Sequence, residues 1–185
     1  MGCPRHQLQA MRYPIFLDLQ NQPVAVIGAG KVATRKIRTL LKAGAHVAVI
    51  SPRANAEIRE LARSRRVSWL RRRYRRGDLR NARLVIAATD NPGVNAMVCS
   101  EAKRRKVLAN CAAPPSAGNF IVPSQVRRGG ITLAISTGGA SPAFAKRLRR
   151  DLERFLAKGY PDLLKKMADE RRARVGTLLD RRNGD

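Results

Sequence analysis

The hydrophobic positions between residues 23 and 112 follow two alternating periods. Short apolar runs, many of them β-branched, occupy residues 24–28, 47–50, 67–70, 84–88 and 107–112. Between most of these runs lie longer stretches, over residues 31–43, 55–64 and 92–103, where apolar residues recur every three or four positions. Strand-like runs that alternate with amphipathic stretches are typical of βαβ units. The pattern therefore predicts an α/β fold with an open, Rossmann-type parallel sheet covered by helices.

The pattern changes after the proline pair at 114–115. Two strand-like runs, 120–126 and 131–136, flank a segment that ends in two glycines, which predicts a β-hairpin. Ser141 and Pro142 predict the start of a helix to about residue 156, and a basic helix is predicted over 162–179. Because a lone hairpin is marginally stable, this part is expected to pack on a partner, for which a second copy of the chain is the obvious candidate.

These patterns divide the chain into four predicted parts. Residues 1–12 form a flexible tail, and residues 13–113 form the Rossmann domain. Residues 114–158 form a dimerisation segment, and residues 159–185 form a short C-terminal helical region.

The turn between the first strand and the first helix carries a Gly-x-Gly-x-x-Ala pattern. Gly28 permits a tight turn, Gly30 leaves room for a pyrophosphate, and Ala33 lets the helix pack closely on the sheet. Free N–H groups and the helix dipole favour phosphates at such a turn. The pattern predicts a dinucleotide site, and an aspartate at position 28 is expected to take the pyrophosphate's place. The predicted contacts are Gly28, Ala29, Gly30, Lys31 and Val32.

A second part of the predicted cofactor site follows the second strand. NAD sites usually carry an acidic residue there for the ribose hydroxyls, whereas this chain has Ser51, Pro52 and Arg53. Arg53 suits the 2′-phosphate of NADP, or it stacks beside the adenine while Ser51 contacts the ribose. Taken alone, these residues leave NAD and NADP both open.

A third part follows the fourth strand, where Thr89, Asp90 and Asn91 are predicted to hold the nicotinamide half. Asp90 is equally consistent with a turn residue. Asn91 precedes Pro92, which also predicts a helix start with Asn91 as its N-cap.

The charge of the chain limits its partners. The 185 residues include 38 basic and 13 acidic ones, a net charge of +25, which indicates a polyanionic ligand or merely a basic surface. Nucleic-acid binding through residues 71–76 and 171–174 is a weaker alternative, since only Trp69 and Tyr74 offer stacking and no recognition motif is present.

The sequence also lacks the features of a membrane span, of an apolar leader and of a metal site. The chain has no apolar run of membrane-spanning length and no apolar leader, so a soluble, cytoplasmic protein is expected. Cys3, Cys99 and Cys111 lack the spacing of a metal site, and His6 and His46 add no ligand pair, so no bound metal is predicted.

Six motifs, in order and with similar spacing, resemble the precorrin-2 dehydrogenases. This family includes the bifunctional dehydrogenase/sirohydrochlorin ferrochelatases and the N-terminal half of siroheme synthase. The motifs are residues 13–17 (YPIFL), 28–36 (GAGKVATRK), 87–91 (AATDN), Asn110, 120–124 (FIVPS) and 136–142 (STGGASP).

The resemblance implies a fold, a cofactor and a reaction. It implies a Rossmann domain that uses NAD, a dimerisation segment exchanged between subunits, and oxidation of precorrin-2 to sirohydrochlorin on the way to sirohaem. Cofactor contacts then fall on residues 28–32 and on Pro52 and Arg53, and the choice moves to NAD because the family also tends to lack the acid. The implied tetrapyrrole-binding residues are Asn110, Ser136, Thr137, Gly138 and Ser141, and Thr137 stands where some members carry a phosphorylatable serine.

One departure from the family concerns proton transfer. After Asn110 the family usually has two apolar residues and then the aspartate assigned to proton transfer and metal insertion, whereas this chain has Cys111, Ala112 and Ala113. Losing a general acid or base costs about 10² to 10⁴ in rate. We therefore expect a dehydrogenase with doubtful chelatase activity and leave its catalytic residue unassigned. A non-catalytic nucleotide- or tetrapyrrole-binding relative is the alternative. From the resemblance we also expect a C-terminal helical region that is shorter than is usual in the family.

The resemblance gives the positive charge a purpose, because precorrin-2 is a polycarboxylate. The candidate carboxylate-binding residues are Arg127, Arg128, Lys146, Arg147, Arg149 and Arg150.

Overall fold

The computed structural model describes the backbone of residues 12–182 and the side chains of residues 12–172. The predicted flexible tail, residues 1–12, lies outside this range except for Arg12. The chain divides into two compact units: Ile15–Val122 forms one, and the stretch from Pro123 onward, together with residues 12–14, forms the other.

The first unit is built on a five-stranded parallel sheet in the order β3-β2-β1-β4-β5. β1 lies at its centre, so the chain reverses its direction of growth between β3 and β4. Such a reversal leaves a crevice at the carboxyl ends of β1 and β4. The strands are β1 (Pro23–Ile27), β2 (His46–Ile50), β3 (Ser68–Leu70), β4 (Leu84–Ala87) and β5 (Leu108–Cys111).

Three helices cover the two faces of this sheet, and side chains alternate between the faces. Val24 and Val26 of β1 pack with Ile37 of α1 and Ile58 of α2, whereas Ile27 packs on the opposite side. That second core contains Val98 and Ala102 of α3 and the loop residue Leu79. The helices are α1 (Lys31–Lys42), α2 (Ala56–Arg63) and α3 (Pro92–Arg104), and a 3₁₀ turn follows at Pro115–Ala117. The Rossmann-type prediction is confirmed.

The second unit consists of an antiparallel hairpin and two helices. Its elements are β6 (Ser124–Arg128), β7 (Ile131–Ile135), α4 (Pro142–Leu156) and α5 (Tyr160–Arg182). The hairpin prediction is confirmed, with positive φ at both turn glycines, Gly129 and Gly130. None of the helices in the described part of the chain has an apolar stretch long enough to cross a membrane.

Two predicted boundaries in this part are wrong. The strand expected over 120–126 begins only at Ser124, because Phe120 is fastened to β5 instead: its N–H donates to the Ala109 carbonyl, and its carbonyl accepts from the Asn110 amide. The last helix begins at Tyr160 rather than at 162, since Pro161 in its first turn has no N–H that needs a partner.

The second unit has a small core. Among its described side chains, only Val126 and Leu156 are buried apolar groups. Phe144, Leu163 and Met167 are each more than half exposed, at 57%, 52% and 59%. Leu163 and Met167 are four residues apart on α5, so they share one face of that helix, and a contiguous exposed apolar face is a candidate interaction surface.

A buried carboxylate ties α3 to the arginine-rich loop after β3. Glu101 is 2% exposed and accepts hydrogen bonds from the Tyr74 hydroxyl, the Gly77 N–H and the Arg105 guanidinium. Burial alone would raise the pKa of Glu101, but the bonds from Tyr74, Arg105 and Gly77 outweigh it and lower that pKa. The loop over residues 71–76 is thereby anchored to the fold at Tyr74.

Glu101→Gln is predicted to lower the free energy of unfolding at pH 7 by about 1–3 kcal/mol, because it replaces a satisfied buried anion with a neutral amide. A lowered carboxyl pKa in the folded state stabilises above the unfolded pKa and is lost as the pH falls through the folded pKa. The loss should therefore shrink below about pH 4. Urea titrations at both pH values measure it, with the exposed substitution Glu60→Gln as control. An equal loss at both pH values would contradict the account.

Candidate nucleotide-binding site

The turn between β1 and α1 depends on Gly28. Its φ is +104°, and a Cβ at this position would lie 2.3 Å from the carbonyl oxygen of Ala88, just past the end of β4. The Gly28 N–H also donates to the Ile50 carbonyl at 3.0 Å. Gly28 therefore lets the ends of β1, β2 and β4 meet closely. An aspartate here would collide with protein backbone, so it would test folding before it tested cofactor binding.

Gly30 differs from Gly28, because a Cβ at Gly30 would meet no atom within 4 Å. Gly30 is the N-cap of α1, with an ordinary φ of −86°, and no side chain caps the helix or places an acid in its first turn. By contrast, Asn55, Asn91 and Ser141 cap α2, α3 and α4. The start of α1 thus combines open space with unclaimed N–H groups, and this arrangement fits the pyrophosphate of a dinucleotide.

A hydrogen-bonded brace fixes the start of α1 against the loop after β2. The Asn55 side-chain amide donates to the Thr34 hydroxyl at 2.8 Å, and that hydroxyl donates to the Gly30 carbonyl at 3.0 Å. The Asn55 side-chain oxygen accepts from the Ile58 N–H, which begins α2. The two loops that would face a dinucleotide are therefore held at a set separation before any ligand arrives.

The loop after β2 presents Arg53 to solvent. Ser51 is 9% exposed, and its hydroxyl donates to the Arg53 carbonyl at 2.7 Å, while the Trp69 indole donates to the Ser51 carbonyl at 2.9 Å. Pro52 and Arg53 are exposed. Both bonds of Ser51 therefore hold this loop in shape. The predicted contact of Ser51 with the ribose stays a prediction.

The loop after β4 is organised by Asn95, a residue that the sequence analysis missed. Its side chain is fully buried and accepts from the Thr89 N–H and hydroxyl. Its amide donates to the carbonyls of Thr89 and Ala113, so it joins the loop after β4 to the loop after β5. Asn95 lies four residues after Asn91, the N-cap of α3, and this helical spacing was the sequence signal that could have identified it. Asn91 caps α3 as predicted, and Asp90 is exposed.

Asn110 near the end of β5 contacts a half-buried lysine of α1. The Lys36 ammonium donates to the Asn110 side-chain oxygen at 2.7 Å, and the Asn110 amide donates to the Phe120 carbonyl at 3.1 Å. Burial, with a smaller contribution from Arg35, lowers the pKa of Lys36. Both polar groups of Asn110 are thus engaged within the protein, which makes it a brace for the segment after β5. Its predicted contact with substrate stays a prediction.

The predicted substrate residues after β7 form a compact loop in the second unit. The Thr137 hydroxyl accepts from the Ser141 N–H, the Ser136 hydroxyl accepts from the Gly138 N–H, and the Ser141 hydroxyl caps α4 through the Phe144 N–H. The structure brings Ser136, Thr137, Gly138 and Ser141 together, whereas Asn110 belongs to the first unit.

The predicted cofactor residues share one edge of the sheet. Residues 28–32, 51–53 and 89–91 follow β1, β2 and β4, which are neighbouring parallel strands. In open α/β sheets, ligands bind at this carboxyl edge where the strand order reverses. Fold and site together define a Rossmann-type dinucleotide-binding protein.

Comparisons with known proteins narrow this class. Residues 15–124 match the family described as putative NAD(P)-binding, and residues 128–154 match the central region of sirohaem biosynthesis proteins. The cofactor is therefore a nicotinamide nucleotide.

Individual relatives agree with these matches. The chain is 34% identical to precorrin-2 dehydrogenase of Bacillus subtilis over 77% of its own length and 88% of the relative's. It is 40% identical to siroheme synthase of Mannheimia succiniciproducens over 85% of its own length, but it spans only 32% of that relative. The solved structure of SirC, a precorrin-2 dehydrogenase, superposes with a TM-score of 0.72 at 34% identity, covering 85% of this chain and 78% of SirC. The chain belongs to the precorrin-2 dehydrogenase family.

Gly30→Asp is predicted to separate cofactor binding from folding. Aspartate is a preferred N-cap and fits the open space, so the free energy of unfolding should stay equal or rise by up to about 1 kcal/mol. Its carboxylate would repel the phosphates, and NAD affinity should fall by more than about tenfold. Calorimetric titration and thermal melting measure the two effects.

Gly28→Ala is the matched comparison for this test, because its Cβ collides with backbone. It should lower the free energy of unfolding by about 2 kcal/mol or more. Unchanged NAD affinity in Gly30→Asp would show that the start of α1 is not the phosphate site.

Proposed function

We propose that this chain is a precorrin-2 dehydrogenase, which oxidises precorrin-2 to sirohydrochlorin with NAD. The observation that carries the proposal is the uncapped, open start of α1 at Gly30, in a chain that belongs to this family. The chain spans about a third of the siroheme synthases that it matches, so the proposal concerns the dehydrogenase reaction alone.

Each loop at the sheet edge has a distinct task in this proposal. The N–H groups at residues 30–32 bind the pyrophosphate, and Pro52 and Arg53 contact the adenosine half. Thr89, held by the buried Asn95, lies beside the nicotinamide half. A bound nicotinamide would supply the acceptor for a hydride from the macrocycle. The protein's contribution is to hold the two rings in contact and to keep the loops from rearranging, which lowers the entropic part of the barrier.

The choice of NAD rests on the family resemblance. The loop after β2 offers no carboxylate to the ribose, and it exposes Arg53. An exposed arginine is able to pair with a 2′-phosphate, so NADP is the cofactor to compare in every assay.

Ala113 favours a second candidate, a binding protein without turnover. Its side chain carries no titratable group, and its carbonyl accepts a hydrogen bond from Asn95.

Asp90 is the carboxylate nearest in the topology to Ala113. β4 and β5 are paired neighbours, so Ala113 and Asp90, whose side chain is exposed, follow adjacent strand ends. In the dehydrogenase proposal, one proton must leave with the hydride, and Asp90 is the group proposed to receive it. Metal insertion removes two pyrrole protons, so we propose no chelatase role.

Stopped-flow absorbance with precorrin-2 distinguishes these candidates. The dehydrogenase proposal predicts reduction of NAD, faster than that of NADP. Ala113→Asp should raise the rate by about tenfold or more if the missing acid limits the reaction. Asp90→Asn, made without the substitution at Ala113, should reduce NAD more slowly than the unaltered chain does. Binding of precorrin-2 with no NAD or NADP reduction would establish the carrier instead.

We also propose that the chain forms a homodimer in the cytoplasm. Support for the dimer comes from the small core of the second unit and from its exposed apolar side chains Phe144, Leu163 and Met167. Support for the compartment comes from Cys99 and Cys111, two free buried thiols, because thiols persist in reducing environments.

The double substitution Leu163→Asp/Met167→Asp should convert the dimer to a monomer, because it places charges on one apolar face of α5. Light scattering after size exclusion measures the mass. Lys165→Asp changes the net charge by the same amount on an exposed position and should leave the dimer intact. A monomeric mass for the unaltered chain would refute the proposal.

A further inference from the structure

The loop between β3 and β4 presents most of its arginines to solvent. Residues 71–76 consist of five arginines and one tyrosine. Arg72 and Tyr74 are half-buried, whereas the residues on either side of them are exposed. These exposed residues, Arg71, Arg73, Arg75 and Arg76, form an arginine patch on the first unit.

The inward-facing side chains of this loop are fastened to the fold. Both terminal guanidinium nitrogens of Arg72 donate to the Asp78 carboxylate at 2.8 Å, and the Arg75 N–H donates to the same carboxylate at 2.8 Å. The Tyr74 hydroxyl donates to the buried Glu101 of α3. The backbone beneath the arginine patch is therefore held in place before any ligand arrives, which reduces the ordering cost of binding.

The arginine patch has no counter-charge among residues 12–172. None of its four guanidinium groups takes part in an ion pair there. Asp78 is the one acidic residue between positions 63 and 83, a stretch that holds ten arginines. Its hydrogen bonds from Arg72 lower the pKa of Asp78, so its charge already neutralises that arginine. The patch thus favours a ligand with several closely spaced anions.

The chemistry of the patch distinguishes a nucleic acid from a protein partner. Residues 71–76 expose no apolar side chain that could serve as an anchor. Protein–protein interfaces are depleted of charge at their centres, whereas interfaces with nucleic acids are more polar and much more positive. Each guanidinium can also bind a phosphate through two parallel hydrogen bonds. The patch therefore fits a phosphate backbone better than a protein surface.

The nearby aromatic side chains are engaged within the protein. The sequence alone left Trp69 and Tyr74 available for stacking on bases. In the structure, Tyr74 bonds to Glu101 and packs against a buried core, and the Trp69 indole donates to the Ser51 carbonyl at 2.9 Å. The Arg71 guanidinium also lies 5.9 Å from the centre of the Trp69 ring. Single-stranded bases thus find no free stacking platform here, and a duplex contacted through its phosphates is the better fit.

We infer that the arginine patch binds the phosphate backbone of a nucleic-acid duplex without sequence preference. Contacts of this kind need neither a stacking ring nor a recognition motif, the two features whose absence made nucleic-acid binding the weaker alternative. This surface is separate from the dinucleotide site, because its loop packs on the α3 side of the sheet and α1 packs on the other side. It is also a function beyond the proposed dehydrogenase.

Fluorescence anisotropy of a labelled DNA duplex of mixed sequence, titrated with the full chain at several salt concentrations, tests the inference. Arg73→Gln/Arg75→Gln/Arg76→Gln should weaken binding by about tenfold or more. It should also reduce the slope of log K against log salt concentration by about 2–3, since each lost phosphate contact removes about 0.9. Circular dichroism establishes that the variant is folded, as expected for exposed side chains.

Arg35→Gln/Lys42→Gln/Arg59→Gln is the matched control. It removes the same charge from exposed positions of α1 and α2, on the opposite face of the same sheet. Its salt slope should fall by less than about 1. Equal weakening in the patch and control variants would reduce the effect to net charge and overturn the inference.

Three further probes identify the ligand. An RNA duplex should also bind in a manner that depends on the patch, because the phosphate backbone is shared; dependence with only one duplex would identify that polymer as the ligand. A single strand of the same length should bind more weakly than the duplex, and tighter binding would overturn the inference. Polyglutamate that binds more tightly than the duplex would overturn it in favour of an acidic protein.

Calorimetric titration with NAD separates this surface from the dinucleotide site. The patch variant should keep its NAD affinity within about twofold, because its three arginines lie outside the loops assigned to the cofactor. A fall of about tenfold would assign these arginines to the dinucleotide site and overturn the inference.

Discussion

The close approach of Gly28 to the Ala88 carbonyl is the contact on which the site depends. With no side chain between them, the ends of β1 and β4 converge, and α1 begins at the crevice where the strand order reverses. Any Cβ at Gly28 would separate these strand ends. The helix start is then left uncapped at Gly30, where no side chain bonds the first N–H groups and a Cβ would meet no atom within 4 Å. The close packing at Gly28 thus places the uncapped helix start at Gly30 beside the crevice.

The remaining polar groups of the sheet edge maintain this geometry. Asn55 and Thr34 fix the loop after β2 to Gly30, Asn95 fixes the loop after β4 to that after β5, and Lys36 holds Asn110. Each brace crosses between elements distant in sequence, and buried polar groups of this kind resist loop motion because breaking them strands a donor or acceptor. Pre-organisation of the loops, rather than a reactive side chain, is the protein's contribution to a hydride transfer between two bound rings.

Sequence patterns were sufficient for the sheet, the helices and the glycine turn, because burial period and capping chemistry are local properties. They were insufficient for Asn95, which also bonds Ala113 across 18 residues of chain, and for Lys36, which bonds Asn110 across 74. Residues 120–123 were taken for a strand, since their apolar pattern is local while the bonds that fasten Phe120 to β5 are not. The arginines were likewise indistinguishable by composition, and only the ion pairs of α4 separate neutralised side chains from available ones.

The central claim is that a nicotinamide dinucleotide lies against the start of α1. Amide NMR spectra of the labelled full chain, recorded during titration with NAD, test it most directly. The account predicts that the signals of Gly30, Lys31 and Val32 shift together and saturate, because their N–H groups receive the pyrophosphate. Saturable shifts confined to other parts of the chain, with these three signals unmoved, would contradict it.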